Sequence, residues 1–154
     1  MAKEPAKIRK ATAADLAAIK SCARAAYAKY IDRIGREPAP MIADFAAQIR
    51  SEFVHVAVCN NTIAGYVVFY RDNHCVHLEN VAVVPEYCGR GIGGLLINFV
   101  EQSTQHMGVD AVELYTNEAM TENLNMYPAL GYVEIDRKLQ DGFNRVFFRK
   151  TIPS

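Results

Sequence analysis

No excess charge of either sign runs through this chain of 154 residues: Lys and Arg total 17, and Asp and Glu total 17. The balance withholds the basic surface needed to hold a nucleic-acid backbone or an anionic membrane. No segment reaches the roughly 20 apolar residues of a membrane span. Lys3, Lys7 and Lys10 open the chain, but no apolar stretch follows them that could act as a secretion signal. A cytoplasmic protein that binds neither nucleic acid nor membrane is expected.

Cysteine is scarce and scattered. Cys22, Cys59, Cys75 and Cys88 form no CxxC pair, and no histidine at zinc spacing accompanies them, so no metal site is expected. A disulfide framework does not suit a chain whose hydrophobic content is 51%. Free thiols follow, and only Cys88, beside a helix start, has a position that favours reactivity.

What is present is enough apolar material for one globular domain spanning residues 1–154. Ile8 to Ala11 reads as a first strand. Thr12 and Asp15 form a capping pattern that opens a long Ala-rich helix toward Ile31. Pro38 and Pro40 break it, and Met41 to Arg50 has the spacing of a second helix. From Val54 the period becomes alternating. Val54, Val56 and Val58 lead to a tight Asn60-Asn61 turn and a returning strand from Ile63 to Tyr70.

A strand from Val76 to Val84 follows, then a helix with Ile92, Leu95, Leu96, Phe99, Val100 and Met107 on one face, stopped at Gly108. Ala111 to Thr116 is a strand and Glu122 to Leu130 a short helix. Tyr132 to Arg137 and Arg145 to Thr151 close a hairpin around Asp141-Gly142. The predicted order is βααβββαβαββ, a mixed α/β domain with a central sheet.

Four of the nine glycines fall between residues 89 and 94, where Pro85-Glu86-Tyr87-Cys88-Gly89-Arg90-Gly91-Ile92-Gly93-Gly94 joins strand to helix. Glycine lets the backbone approach a ligand and aim its N–H groups at it. The helix start adds unpaired donors and a positive dipole end, so the turn suits an anion, with phosphate first among them. Gly89-x-Gly91-x-x-Gly94 matches the dinucleotide fingerprint in letters. Four residues separate it from the strand, however, and the remaining chain is too short for a doubly wound sheet. A P-loop would need Gly-Lys-Ser/Thr, which is absent.

The run Val81-Ala82-Val83-Val84-Pro85, followed by Cys88-Gly89-Arg90-Gly91-Ile92-Gly93, resembles the signature of the GNAT superfamily of acyl-CoA-dependent N-acyltransferases. A second element, Leu114-Tyr115-Thr116 with Tyr127-Pro128-Ala129-Leu130-Gly131-Tyr132, is similar to the family's later strand and tyrosine-bearing helix. The resemblance covers essentially the whole chain and implies a twisted, mostly antiparallel sheet flanked by helices. It implies acetyl-CoA as cosubstrate and no metal. The main chain of Val81, Ala82 and Val83 would pair with the pantetheine arm, and the segment Gly89, Arg90, Gly91, Ile92, Gly93 and Gly94 would grip the pyrophosphate. Cys88 departs from the family's Arg or Gln, which removes a side-chain contribution there but not the amides.

Tyr127 matches the tyrosine that in many members protonates the leaving sulfur, a role suited to a phenol that holds its proton at neutral pH. Asn123, one helical turn away, is the better of two candidates with Asn117 for a pantetheine contact. His77, Glu79, Val81 and Val83 share strand parity, and the family places its base on this strand, leaving Glu79 and His77 as alternatives. A backbone N–H, that of Val81, would meet the oxyanion. The fold implies an amine pocket walled by Tyr27, Tyr30, the segment from Arg33 to Met41 and residues Gln140 to Asn144. Arg33, Arg36 and Glu37 are the charges there. The acceptor is a small-molecule amine or a protein amine, and a homodimer is allowed for. The competing expectation is an acyl-CoA-binding regulatory or assembly subunit without turnover; an agent acting on aminoacyl-tRNA is disfavoured by the lack of a basic surface.

Overall fold

A computed structural model describes residues 5–153, so Lys3 and both ends of the expected 1–154 domain lie outside the described residues. Seven strands form one sheet in the order β1-β2-β3-β4-β5-β7-β6. They are β1 (Lys7–Lys10), β2 (Val54–Cys59), β3 (Thr62–Arg71), β4 (Val76–Val83), β5 (Ala111–Asn117), β6 (Val133–Gln140) and β7 (Phe143–Thr151). Among the described residues five α-helices accompany them: α1 (Leu16–Tyr27), α2 (Tyr30–Ile34), α3 (Phe45–Arg50), α4 (Ile92–His106) and α5 (Thr121–Ala129). Antiparallel pairing dominates, and β4 with β5 is parallel. The mixed α/β class and the mostly antiparallel sheet stand as expected.

The chain divides into two compact units. The first runs to Phe69 and resumes at Asn80–Val100. Here Thr12 N–H donates to Asp15 Oδ2 at 2.7 Å, the reciprocal cap read from the sequence. Asp15 also accepts two bonds from Arg9, which holds its carboxyl down to about 2. The two-residue turn before β3 has Asn60 at φ 53° and Asn61 at φ 61°, a left-handed pair that matches the twist of the flanking strands. A bulge between Ala57 and Val58 resets the alternation, so Ala57 and Cys59 are buried where Val58 was expected to be. The core gathers Ile19, Phe45, Val54, Val56, Tyr66, Val67, Val68, Leu96, Ile97 and Val100, each worth about 1.5–3 kcal/mol when fully buried.

The helical part of this unit departs from expectation three times. The first helix does not continue unbroken: it stops at Tyr27, turns through Ala28-Lys29 with an Ile31 N–H bond to Ala28 C=O (3.2 Å), and restarts as α2. Tyr27 and Tyr30, three residues apart across this turn, are both buried. The order therefore gains a helix, βαααβββαβαββ. Met41 lies in a 3-10 turn, Ala39–Ile42, because Asp44 caps the following helix by accepting the Ala47 N–H at 3.1 Å. On α4 the buried apolar positions are Ile92, Leu96, Ile97 and Val100, while Leu95 is exposed at the margin of that face.

The second unit comprises Tyr70–Glu79 and the described chain from Glu101 onward. Its parallel ladder pairs Val76, His77 and Leu78 with Val112, Glu113 and Leu114. Asp141 (φ 54°) and Gly142 (φ 78°) make the closing turn, which carries the hairpin ladder out to Gln140 and Phe143, farther than the sequence implied. Leu78, Val112, Leu114, Tyr127, Tyr132, Val146 and Phe148 are buried. Glu101 accepts from the Tyr132 hydroxyl (3.0 Å) and from Lys150 Nζ (2.9 Å), closing a polar cluster at the end of α4. Met107 falls beyond that helix and is exposed, and Gly108 (φ 72°) turns the chain as expected.

Candidate active site

The turn after β4 begins with a 3-10 segment, Pro85–Tyr87, and an extended Cys88. Gly89 (φ 81°) and Gly91 (φ 79°) then occupy the left-handed region, which L side chains rarely adopt. A Cβ added at Gly89, Gly91 or Gly94 would meet nothing within 4 Å, and at Gly93 only Val83 Cγ2 at 3.7 Å. Tight packing therefore does not explain these glycines. Conformation explains two of them, and the open space beside Gly89, Gly91 and Gly94 is room for a ligand. Leu95 N–H bonds to Gly91 C=O at 3.0 Å, so α4 begins there and the N–H groups of Gly91, Ile92, Gly93 and Gly94 have no intrahelical acceptor. Those donors, with the helix dipole, suit a diphosphate.

A surface groove of about 400 Å³ adjoins the turn, lined by Pro5, Ala6, Cys59, Arg90, Gly91, Ile92 and Leu95. The Arg90 guanidinium lies over the Tyr87 ring at 5.0 Å. Exposed Cys88 has its Sγ 3.9 Å from Val83 C=O.

Along β4 the parity reading holds. Val76, Leu78, Asn80 and Ala82 are buried, and His77, Glu79, Val81 and Val83 form the half-exposed face. Glu79 is pushed above the ordinary carboxylate range by burial, with the nearby His77 opposing. His77 Nε2 is 2.5 Å from Asp72 Oδ2, and its ring packs against Tyr70 at 5.4 Å. Cys75 Sγ lies 3.8 Å from the same Nε2, a proximity between residues two apart that the zinc-motif spacings read from the sequence do not include.

The Tyr127 ring is 5% exposed, set edge-on to Tyr132 (5.7 Å) and tilted against Phe148 (5.8 Å). Among the described residues its hydroxyl has no hydrogen-bond partner. Burial raises the phenol's pKa and keeps it protonated. Pro128 falls in the last turn of α5, where the helix closes through Leu130 N–H to the Met126 and Tyr127 carbonyls. Asn123 donates to Thr116 Oγ1 at 3.1 Å, which ties α5 to β5 and occupies one amide proton. Asn117 Oδ1 accepts from Ala119 N–H (2.9 Å) and shapes the preceding turn.

The acetyltransferase (GNAT) family profile matches residues 19–132. This chain belongs to the GNAT family. The family's chemistry is acyl-CoA-dependent N-acetylation. The GNAT fold is shared with the ribosomal-protein-S18-alanine N-acetyltransferase of Escherichia coli at a TM-score of 0.79 and 20% identity, over 97% of this chain and 95% of that one. The PaiA N-acetyltransferase of Thermoplasma acidophilum, solved with coenzyme A, superposes at 0.73 with 16% identity over 96% and 99%. A chain of the NatC complex bound to Gag peptide and CoA superposes at 0.74 with 19% identity over 97% and 100%. These identities speak for the GNAT fold alone.

Two features of this GNAT chain escaped the sequence reading. Asn80, 4% exposed, sits within hydrogen-bond distance of the Tyr27 hydroxyl (3.0 Å) and the Tyr66 hydroxyl (3.1 Å) and donates to Pro40 C=O (3.3 Å). The Tyr27 hydroxyl also lies 2.9 Å from Val81 C=O, so a tyrosine expected in the amine wall braces β4 instead. The available signal was a lone asparagine at a buried parity among valine, leucine and alanine. The second feature is Arg145, buried under Tyr115 at 4.2 Å and donating to Gln140 (2.9 Å) and Asp141 (3.2 Å). It fixes the hairpin tip, and nothing in the local pattern distinguished it from a surface arginine. Among the described residues no helix is long and apolar enough to cross a membrane.

Proposed function

We propose that this GNAT chain is an enzyme that moves an acetyl group from acetyl-CoA to a primary amine by direct attack in a ternary complex. The observation that carries the reading is the turn at Gly89 to Gly94: two left-handed glycines, open space beside the backbone, and four N–H groups without intrahelical acceptors. In this reading Gly89, Arg90, Gly91, Ile92, Gly93 and Gly94 hold the pyrophosphate, and the main chain of Val81, Ala82 and Val83 aligns the pantetheine. Asn123 contributes through its free carbonyl oxygen, its nitrogen being bonded to Thr116. Residues 1–154 act together as one acyltransferase domain.

The thioester supplies an activated acyl group, and the chain's residues manage protons around it. An arriving ammonium must lose a proton before it attacks. Glu79, raised by burial, accepts it better than an ordinary carboxylate would. His77 is the alternative base, although its Nε2 is engaged by Asp72. Tyr127, protonated and unpaired, is the acid for the departing sulfur. Proximity of the two substrates supplies much of the rate without a covalent enzyme intermediate.

The acceptor class follows from the relatives' breadth. Protein amines are acted on by the S18-alanine enzyme, and a small molecule is named for nourseothricin acetyltransferase, another GNAT structure of this fold. The net charge of zero argues against strongly basic protein tails. The test is free-thiol release from acetyl-CoA across a panel of small amines and peptide N-termini. Amine-dependent thiol release supports an enzyme. Saturable CoA binding with no product from any amine would favour the regulatory subunit and refute the proposal.

A further inference from the structure

The turn between β3 and β4 carries donor-bearing side chains in the run Asp72-Asn73-His74-Cys75-Val76-His77. One donor atom each from Asp72, Cys75 and His77 lies within 4.8 Å of the other two. The carboxylate is aimed before any ligand arrives. Asp72 Oδ1 accepts the N–H groups of His74 (2.7 Å) and Cys75 (2.9 Å), and Asp72 N–H donates to Cys75 C=O at 3.0 Å. Oδ2 is thereby left facing His77 Nε2. His77 is fixed in its turn by the ladder to Glu113 and by the Tyr70 ring. Cys75 is buried, which shields its sulfur from bulk oxidants, while Asp72 and His77 open to solvent and give an entry path.

We propose that Asp72, Cys75 and His77 form a binding site for one divalent transition-metal cation of zinc's type, with its fourth position open to water. Metal–sulfur and metal–nitrogen bonds of about 2.3 and 2.0 Å at a tetrahedral angle put sulfur and nitrogen roughly 3.5 Å apart. The present separation is 3.8 Å, close to that requirement. Carboxylate and imidazole must part from 2.5 Å to roughly 3.3 Å, exchanging one hydrogen bond for two metal bonds. Thiolate with imidazole selects zinc, cobalt or nickel over magnesium and calcium, which prefer oxygen alone. The backbone bonds to Oδ1 serve as the outer shell that orients a ligating carboxylate. A bound cation takes the lone pair of Nε2 and so withdraws His77 from proton exchange, and the Cys75 thiol releases its proton to water as its sulfur binds. Binding itself needs neither coenzyme A nor turnover, so it stands or falls apart from the acetyl-transfer reading.

Titration of the reduced full chain with Co²⁺, followed in the near-ultraviolet thiolate-to-metal charge-transfer region, tests the site. The band is expected to saturate at one equivalent, to disappear in Cys75→Ser and to be displaced by Zn²⁺. Asp72→Asn and His77→Gln weaken binding on the order of tenfold or more. Cys88→Ser, which removes the exposed thiol, leaves the titration unchanged. No saturable band, a band that survives Cys75→Ser, or one lost with Cys88 overturns the proposal. Should Cys75→Ser fail to fold, the surface change Asp72→Asn decides: affinity equal to that of the unmodified chain refutes the site.

Discussion

Three substitutions in one turn separate conformational strain from ligand contact. Gly91→Ala places a side chain at φ 79° with nothing within 4 Å of the new Cβ, so its whole cost is the left-handed backbone, about 1–2 kcal/mol. For a chain of this length that lowers Tm by roughly 2–8 °C. Gly94→Ala also adds a methyl to open space, but inside α4 without a positive φ, where alanine is favoured by about 0.8–1.0 kcal/mol. It should raise Tm by roughly 2–4 °C. Gly91→Glu carries the strain of Gly91→Ala and adds a carboxylate where the diphosphate is proposed to sit. Two unit charges about 4 Å apart at an effective dielectric of about 20 repel by about 4 kcal/mol. That predicts coenzyme A binding weakened close to a thousandfold relative to Gly91→Ala, at about 1.4 kcal/mol per tenfold. Calorimetric titration with coenzyme A and thermal melts of the four proteins supply the readouts. Equal affinity in Gly91→Ala and Gly91→Glu would remove the phosphate cradle, and a Gly91→Ala melt identical to wild type would remove the strain argument beneath it.

Other outcomes follow from the same geometry. Tyr127→Phe should cut kcat by about 10²–10⁴ while coenzyme A affinity holds, because the ring stays packed against Tyr132 and Phe148; unchanged kcat removes the acid assignment. Gly65→Ala would put a Cβ 2.7 Å from Ala82 C=O, a backbone atom that cannot swing aside, and should destabilise by about 1–3 kcal/mol in urea melts; a neutral result would mean β3 and β4 separate freely. His55 lies between Phe69 (5.4 Å) and Phe99 (4.8 Å) with Nδ1 unpaired, and burial first, then Lys10, lowers its pKa. The unfolded chain then binds the extra proton more readily, so this contribution is complete above the unfolded value near 6.5 and is lost as pH falls through the lowered one. His55→Phe should flatten the decline of Tm between pH 7 and 5, and an unaltered slope would assign that decline to other groups.

Whatever rested on backbone pattern was legible in the sequence. Asn60-Asn61 and Asp141-Gly142 named their turns because few residues accept two successive positive φ angles. The alternation of β4 put His77 and Glu79 on one face because strand parity leaves no other choice once Val76, Leu78 and Ala82 are buried. The glycine turn was equally readable, since conformational demand acts on sequence directly. The break after Tyr27 was not, because neither glycine nor proline marks it and the residues on both sides of it tolerate helix. Nor was the bulge at Ala57–Val58, which moves burial from one parity to the other with no local cue.

Polar partnerships divide along the same line. The Thr12–Asp15 cap spans three residues and was predicted, whereas Asn80 meets Tyr27 across 53 positions and Pro40 across 40. Distance along the chain hides a contact from any window-based reading, and a buried asparagine must find its partners wherever the fold supplies them. Cys75 and His77 show the converse. They are two residues apart, a spacing standard motifs omit, and Asp72, whose Oδ1 accepts the N–H groups of His74 and Cys75, brings its other oxygen to the same imidazole. If the cobalt titration finds that site, turns whose carboxylate is fixed by two backbone N–H groups become places to look for metal ligands at spacings that standard motifs omit. If it does not, the 2.5 Å contact between Asp72 Oδ2 and His77 Nε2 is a hydrogen bond that orients the imidazole, and Glu79 keeps its place as the proposed base on β4.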